Sequence, residues 1–364
     1  MMPIYSILFT IYALILTWLL YGILRLHRPP PPAVPPAISV IVAARDAAAH
    51  LENCVEALET QTYAGDKEVL IVDDGSSDGT RAIARAAVAR HPRWRLLSNG
   101  HAGRWKSRKK GALESAFRCA HSEILLFTDA DCTPPPQWLA EMSAFLASGA
   151  ALCAGFSPQQ APAAPPLWRA FLHTDSLAAA LVAAGGIGHG CAITCTGRSL
   201  ACRRDALTAI GGYAALPDTL SGDDDFLIQT IARSRVNSLA YLFTPQGAVP
   251  ALGPAGWRAF LHQKRRHLSA GTRYTPLVRF GYLAFHSANL LLWSLLLLAP
   301  LVQPLLLLFL AGKILLDGVA LHLWSTRLQQ PLTPGGFFLW EVLFPLYHLL
   351  ALPWPGREVS WSKP

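Results

Sequence analysis

Apolar positions along this chain follow two regimes: long runs towards both ends, and short runs in regular alternation between them. Pro3–Leu26 is long enough for the roughly 20 residues that cross a bilayer. Leu283–Val302 and Leu305–Trp324 are two further spans, separated by a tight turn over Pro300–Pro304. Gly336–Trp354 is a fourth, interrupted by Glu341 and Pro345, which predicts a bent span or a re-entrant segment. Lys313 and Asp317 sit four residues apart inside the third span and predict a structural pair.

Between these runs the period changes. Ile38–Ala44, Glu68–Val72, Trp94–Leu97 and Ile124–Phe127 are short β-rich or continuous apolar stretches, as in the buried strands of a parallel sheet. Helical spacing separates them: Leu51, Val55 and Leu58, then an alanine-rich run over Arg81–Arg90, then a second alanine-rich run after Gly111. Strand and helix in alternation predict an α/β fold, with helices on both faces of a mostly parallel sheet. Leu167–Ala184 reads as a core helix or one lying at the membrane interface, with the core reading favoured. Thr196–Tyr213 reads as a turn, a strand and a short helix ended by Gly211-Gly212. Trp257–Gly271 is basic and amphipathic and suits a helix lying on lipid headgroups.

The predicted organisation is an anchor over 1–28, a proline-rich spacer over 29–37 and a globular domain over 38–275 with its interfacial helix near 257–271. Two or three spans over 280–354 and a tail over 355–364 complete it. Of 364 residues 52% are hydrophobic and 15% charged, and the mean hydropathy is +0.30, which excludes an ordinary soluble domain. The net charge is +8, and Arg25, His27 and Arg28 follow the first run. The positive-inside rule then predicts an outward N-terminus and a cytoplasmic globular domain. No A-x-A site follows the first run, which argues against a cleaved signal peptide. No basic run is interleaved with aromatics, so a nucleic-acid partner is not expected. The seven cysteines are scattered, odd in number and unlike a disulfide framework. Cys191, Cys195 and Cys202, with His189 nearby, lack zinc-site spacing.

Candidate chemistry sits at the predicted strand ends. Asp129 and Asp131 follow the fourth strand. Alternation would place them on one face, with Cα atoms about 6.5–7 Å apart. One reading is a hard-cation site for Mg²⁺ or Mn²⁺ shared with substrate phosphates. The other is a pair of loop aspartates capping the helix that starts near Gln137. Asp74 also ends a strand, and ligands of such sheets bind beyond the carboxyl ends, which favours a nucleotide-diphosphate site. Gly100–Gly111 adds five Lys/Arg, and Asp223, Asp224 and Asp225 crowd one another before an apolar helical pattern. Helix capping accounts for one such acid; crowding would raise the pKa of another and suit it to act as a base.

These motifs together resemble the membrane-bound family 2 glycosyltransferases of the GT-A fold. The resemblance runs from Ile38 to about Gly271. It is carried by Asp73-Asp74-Gly75-Ser76-Ser77-Asp78-Gly79-Thr80, Lys109-Lys110-Gly111-Ala112-Leu113, Asp129-Ala130-Asp131, Thr196-Gly197 through Gly212-Tyr213, Gly222-Asp223-Asp224 and Gln263-x-x-Arg266. It implies an inverting, metal-dependent enzyme with a Rossmann-like sheet, a nucleotide-sugar donor (a UDP-sugar first) and Mg²⁺ or Mn²⁺. Asp74 would contact the base, Lys109 and Asp129 the nucleotide, and Asp131 with Asp129 the metal. Asp224 would be the catalytic base. Gln263, Arg266, His267 and Asp223 would face the diphosphate and acceptor. The glutamine–arginine motif is similar to the Q-x-x-R-W of lipid-glycosylating and polymerising members, with His267 where Trp is usual. The resemblance implies a lipid or glycan acceptor at the cytoplasmic face of a bacterial inner membrane. A processive polysaccharide synthase and a non-catalytic membrane scaffold are the alternatives.

Overall fold

The computed structural model describes residues 2–101, 103–234 and 238–351. The predicted tail over 355–364 and the end of the last predicted span lie outside them. The chain divides into two compact units, one over 26–160 and 190–252, the other over 1–25, 161–189 and 253–364.

The first unit is built on a sheet of seven strands. They are β1 (Ile38–Ala44), β2 (Lys67–Asp73), β3 (Trp94–Ser98), β4 (Ile124–Asp129), β5 (Leu152–Gly155), β7 (Leu200–Arg203) and β8 (Leu239–Leu242). Their spatial order is β3-β2-β1-β4-β7-β5-β8. The pairs among β1–β4 are parallel, β7 runs antiparallel to both its neighbours, and β8 is parallel to β5. Two short strands, β6 (Gln159–Gln160) and β9 (Ala251–Leu252), pair separately. The helices of this unit are α2 (Ala48–Glu59), α3 (Thr80–Arg90), α4 (Arg108–Cys119), α5 (Trp138–Ala147), α7 (Arg204–Ala209) and α8 (Asp223–Ser234).

The apolar runs form strands here because both sheet faces are covered. Val40 and Val42 of β1, Ile71 of β2 and Leu126 of β4 share one core with Leu51, Val55 and Leu58 of α2 and with Trp138 and Met142 of α5. Register then fixes the functional edge. Ala44 pairs with Asp73 and Ala43 with Asp129, so β1, β2 and β4 end level with one another. The proline-rich stretch, expected to stand free as a spacer, lies on this unit instead. Arg28 pairs with Glu141, and the Tyr63 hydroxyl donates to the Pro36 carbonyl.

The second unit is helical: α1 (Met2–Leu24), α6 (Pro166–Gly188), α9 (Trp257–Ala270), α10 (Pro276–Trp293), α11 (Leu295–Val302), α12 (Leu307–Leu328) and α13 (Pro334–Ala351). Among the described residues three helices are long and apolar enough to cross a membrane: α1, α6, and α12 with the short turn before it. The α10–α11 pair, broken by a 46° bend, makes a fourth candidate. The predicted second span is thus two helices. Leu167–Ala184, expected inside the globular core, forms α6 and packs with the apolar helices. Its two flanks both belong to the sheet unit.

Packing in this unit is close. A Cβ at Gly188 would lie 1.9 Å from the Gly22 carbonyl oxygen, so α1 and α6 meet backbone to backbone. Lys313 pairs with Asp317 at 2.8 Å, as the spacing predicts, and also with Glu341 of α13. Tyr12 of α1 donates to both Asp317 oxygens at 2.6 and 2.8 Å. Glu341, an apparent interruption of the last run, is thus part of a buried ion cluster tying three helices together.

Candidate active site

The carboxyl ends of β2 and β4 and the first turns of α4 and α8 supply the site. β2 ends at Asp73, and the acids that follow have separate tasks. Asp73 accepts from the Ser76 N–H at 3.0 Å, and Asp78 from the N–H groups of Thr80 at 2.9 Å and Ala48 at 3.0 Å, securing the starts of α3 and α2. Asp74 is engaged from the other side. Its Oδ1 accepts from Asn99 Nδ2 at 2.6 Å and its Oδ2 from Arg108 Nε at 3.1 Å.

β4 ends at Asp129. Asp131 lies in a turn closed by the Cys132 N–H on the Asp129 carbonyl at 3.1 Å, with the Leu252 N–H on its own carbonyl. Only Asp129 is in the strand, so the turn, and not strand alternation, sets how the two carboxylates stand to one another. The capping alternative fails, since α5 has Gln137 as N-cap and no side-chain cap bond. Lys109, in the first turn of α4, donates to Asp129 Oδ1 at 2.6 Å. Burial opposes its charge, but the carboxylates of Asp129 and Asp224 hold the ammonium above its ordinary pKa.

The three consecutive acids open α8 and diverge. Asp223 is buried and accepts from Ser107 Oγ at 2.6 Å. Burial pushes its carboxyl up to about 6 against that hydrogen bond, and Asp224 pushes the same way. Asp225 accepts from the Thr194 hydroxyl at 2.7 Å and the Cys195 N–H at 3.0 Å. Asp224 is half-buried; its Oδ2 accepts from the Gly197 N–H at 2.9 Å, and its Oδ1 carries no hydrogen bond among the described residues. Burial, with a smaller push from Asp224, therefore raises the pKa of Asp223, while Asp224 is the acid with an open oxygen.

Ser107 joins the two helix starts. Its Oγ caps α4 by accepting from the Lys110 N–H at 3.1 Å while donating to Asp223. Sequence reasoning missed Ser107, Asn99 and Arg108 and gave Gly197 only as part of a motif; for Ser107 the signal was its place as N-cap before a helical pattern. Lys110, buried beside Lys109, points away and donates to the Leu216 carbonyl at 2.6 Å, fastening the segment that leads into α8.

Asp74, Lys109, Asp129, Asp131, Asp223 and Asp224 all lie in the sheet unit. Gln263, Arg266 and His267 lie on α9 of the helical unit, with Gln263 and Arg266 one turn apart. That helix is held to its own unit by Lys264, whose Nζ reaches Asp175 of α6 at 2.6 Å; Tyr347 of α13 donates to the same carboxylate at 2.6 Å.

With respect to a metal, no group of three or more His, Cys, Asp or Glu converges among the described residues. Two carboxylates, one already neutralised by Lys109, do not make a closed metal cage. They do fit an oxygen-seeking Mg²⁺ or Mn²⁺ that takes its remaining ligands from phosphate and water.

The family described as Glycosyl transferase family 2 matches residues 39–199, which classes this segment with the glycosyltransferases. The mannosyltransferase PcManGT from Pyrobaculum calidifontis, solved with GDP-Man and Mn²⁺, superposes with a TM-score of 0.58 at 20% identity, covering 95% of this chain and 97% of that one. At that identity the likeness is one of fold: a GT-A-like Rossmann fold with a mixed sheet, accompanied by apolar helices near both termini. Glycosyltransferase AglE of Haloferax volcanii is 37% identical over 106 residues, 29% of this chain and 33% of its own. Beta-monoglucosyldiacylglycerol synthase of Synechocystis sp. is 28% identical over 170 residues, 41% of this chain and 35% of its own. The matched stretch thus spans about a third of the length of these curated relatives.

Proposed function

We propose that this protein is an integral membrane glycosyltransferase. It would move a sugar from a nucleoside-diphosphate donor to a hydroxyl of a lipid acceptor, with inversion at the anomeric carbon. The observation that carries this reading is the convergence of Asp74, Lys109–Asp129 and Asp224 at the carboxyl edge of one sheet, where nucleotides bind in such folds.

Asp74, oriented by Asn99 and Arg108, receives the N–H edge of the base. Asp129 and Lys109 face the ribose and diphosphate. Asp131 with Asp129 would hold the divalent ion, which when bound supplies positive charge to the departing diphosphate. Lys109 adds an ammonium to the same task, worth several kcal/mol in a water-poor site by general experience with such donors, about 3 kcal/mol each. Asp224 Oδ1 takes the acceptor hydroxyl proton as that oxygen bonds to the anomeric carbon. The carbon–oxygen bond to the diphosphate breaks on the opposite face, and the nucleoside diphosphate leaves. Gln263, Arg266 and His267 would contribute from α9 to diphosphate and acceptor binding. The expected setting is the cytoplasmic face of a bacterial inner membrane.

The test uses membranes containing the full chain, Mg²⁺ or Mn²⁺ and a panel of radiolabelled UDP- and GDP-sugars, followed by organic extraction. Label in the organic phase, lost in Asp131→Ala, supports the reading and names the donor. Label in an aqueous or insoluble polymer replaces it with processive synthesis. Absence of divalent-dependent nucleotide binding removes the transferase reading altogether.

A further inference from the structure

The start of α10 carries positive charge that nothing among the described residues neutralises. Residues 257–283 contain six Lys or Arg and no Asp or Glu. Lys264 is paired with Asp175, and Arg265 donates to the Leu350 carbonyl. Arg273 and Arg279 are exposed, and neither guanidinium has an ion-pair or hydrogen-bond partner among the described residues.

Their position is fixed by the helix. Pro276 opens α10, with Arg273 three residues before it and Arg279 three after. At 1.5 Å per residue, Arg279 stands about 4.5 Å along the axis from Pro276. The polar layer on each side of a bilayer is about 5–7 Å thick, so both guanidiniums reach it when the α10–α11 pair enters the membrane, Arg279 by extending its stem outward. Leu277, Phe280 and Leu283 follow at three-residue spacing and are exposed, forming a surface for an acyl chain. Tyr274 and Tyr282, with ring centroids 6.1 Å apart, are the aromatic residues expected at that depth.

We propose that Arg273 and Arg279 each bind the phosphate headgroup of an anionic membrane lipid, with acyl chains lying along Leu277, Phe280 and Leu283. Guanidinium groups bind phosphate through paired N–H donors, and the stretch has no acid to oppose it. The site depends on α10 entering a bilayer and not on the sugar-transfer reading.

The experiment uses the full chain in vesicles of phosphatidylcholine mixed equally with phosphatidylglycerol. It is extracted with its bound lipid, and retained phosphatidylglycerol is counted against phosphatidylcholine by native mass spectrometry. The wild type is expected to retain phosphatidylglycerol above its share. Arg273→Gln and Arg279→Gln should each cut that preference roughly five-fold, and the double variant roughly twenty-five-fold. Arg273→Lys with Arg279→Lys should keep most of it. Should the double glutamine variant not fold, the single variants decide. Equal retention of both lipids by the wild type overturns the proposal, as does an undiminished preference in the glutamine variants. If inorganic phosphate displaces the lipid from the wild type, the site takes soluble anions and the lipid assignment falls.

Discussion

The Gly197 N–H donates to Asp224 Oδ2 at 2.9 Å, and a Cβ on Gly197 would lie 2.3 Å from Asp224 Oδ1. The backbone before β7 thus sets the attitude of the carboxylate that opens α8, and only a residue without a side chain permits that contact. Gly197→Ala should swing Asp224 away and lower transfer by roughly a hundred-fold or more, since misplacing a catalytic group by about 1 Å has that effect. Nucleotide affinity should change little, because Asp74 and Asp129 are untouched. Steady-state kinetics beside equilibrium nucleotide binding checks both halves.

Asp224→Asn keeps an acceptor for the Gly197 N–H but cannot take a proton. Transfer should fall by about 10²–10⁴ with nucleotide binding preserved. Turnover equal to wild type would move the base elsewhere, and Asp223 would be the next group to examine.

Asp223 connects the site to pH. Its carboxyl titrates near 6 when folded, against 3.8 as the ordinary value, because burial disfavours its charge. The folded chain therefore holds this proton longer than the unfolded chain. Below about pH 4 the group is neutral in both states; as pH rises from about 4 to about 6 it subtracts stability, and above that the loss is constant. The difference corresponds to roughly 3 kcal/mol. Asp223→Asn should abolish this decline, which thermal unfolding between pH 4 and pH 7 would reveal as a flatter profile. An unchanged slope would remove Asp223 as its source.

Asp131→Ala should remove divalent-dependent nucleotide binding while leaving metal-independent binding through Asp74. Calorimetric titration of a nucleoside diphosphate with and without Mn²⁺ separates the two. Equal Mn²⁺ enhancement in wild type and variant would exclude Asp131 as a ligand.

Lys313→Met would leave Asp317 and Glu341 facing each other without a cation. Breaking a buried pair in this way costs about 3–5 kcal/mol, so the detergent-solubilised variant should melt well below wild type. Replacing Lys313, Asp317 and Glu341 together with apolar residues of similar volume should recover most of the loss.

The strand ends at β2 and β4 were legible in the sequence because both covered faces of a parallel sheet demand unbroken apolar runs. Asp74 and Asp129 stand where those runs stop. The helix over 257–270 was legible too, since its apolar residues recur at helical spacing. Leu167–Ala184 left two readings open, because a core helix and a helix packed among apolar helices present the same apolar pattern. Its tertiary neighbours, Gly22 of α1 and Tyr347 of α13, come from both ends of the chain.

By itself, then, the sequence determined the first four strands, the apolar runs and the acids that follow the strand ends, because periodicity and strand termini are local properties. The tertiary structure decided what each acid does. Asp223 and Asp224 are neighbours with the same side chain. They differ because Ser107, 116 residues away, reaches one, and the Gly197 amide reaches the other. Burial and hydrogen-bond partners are set by which distant segments pack together, and no local pattern encodes that. The same holds for Glu341, a blemish in an apolar run until Lys313 is seen beside it.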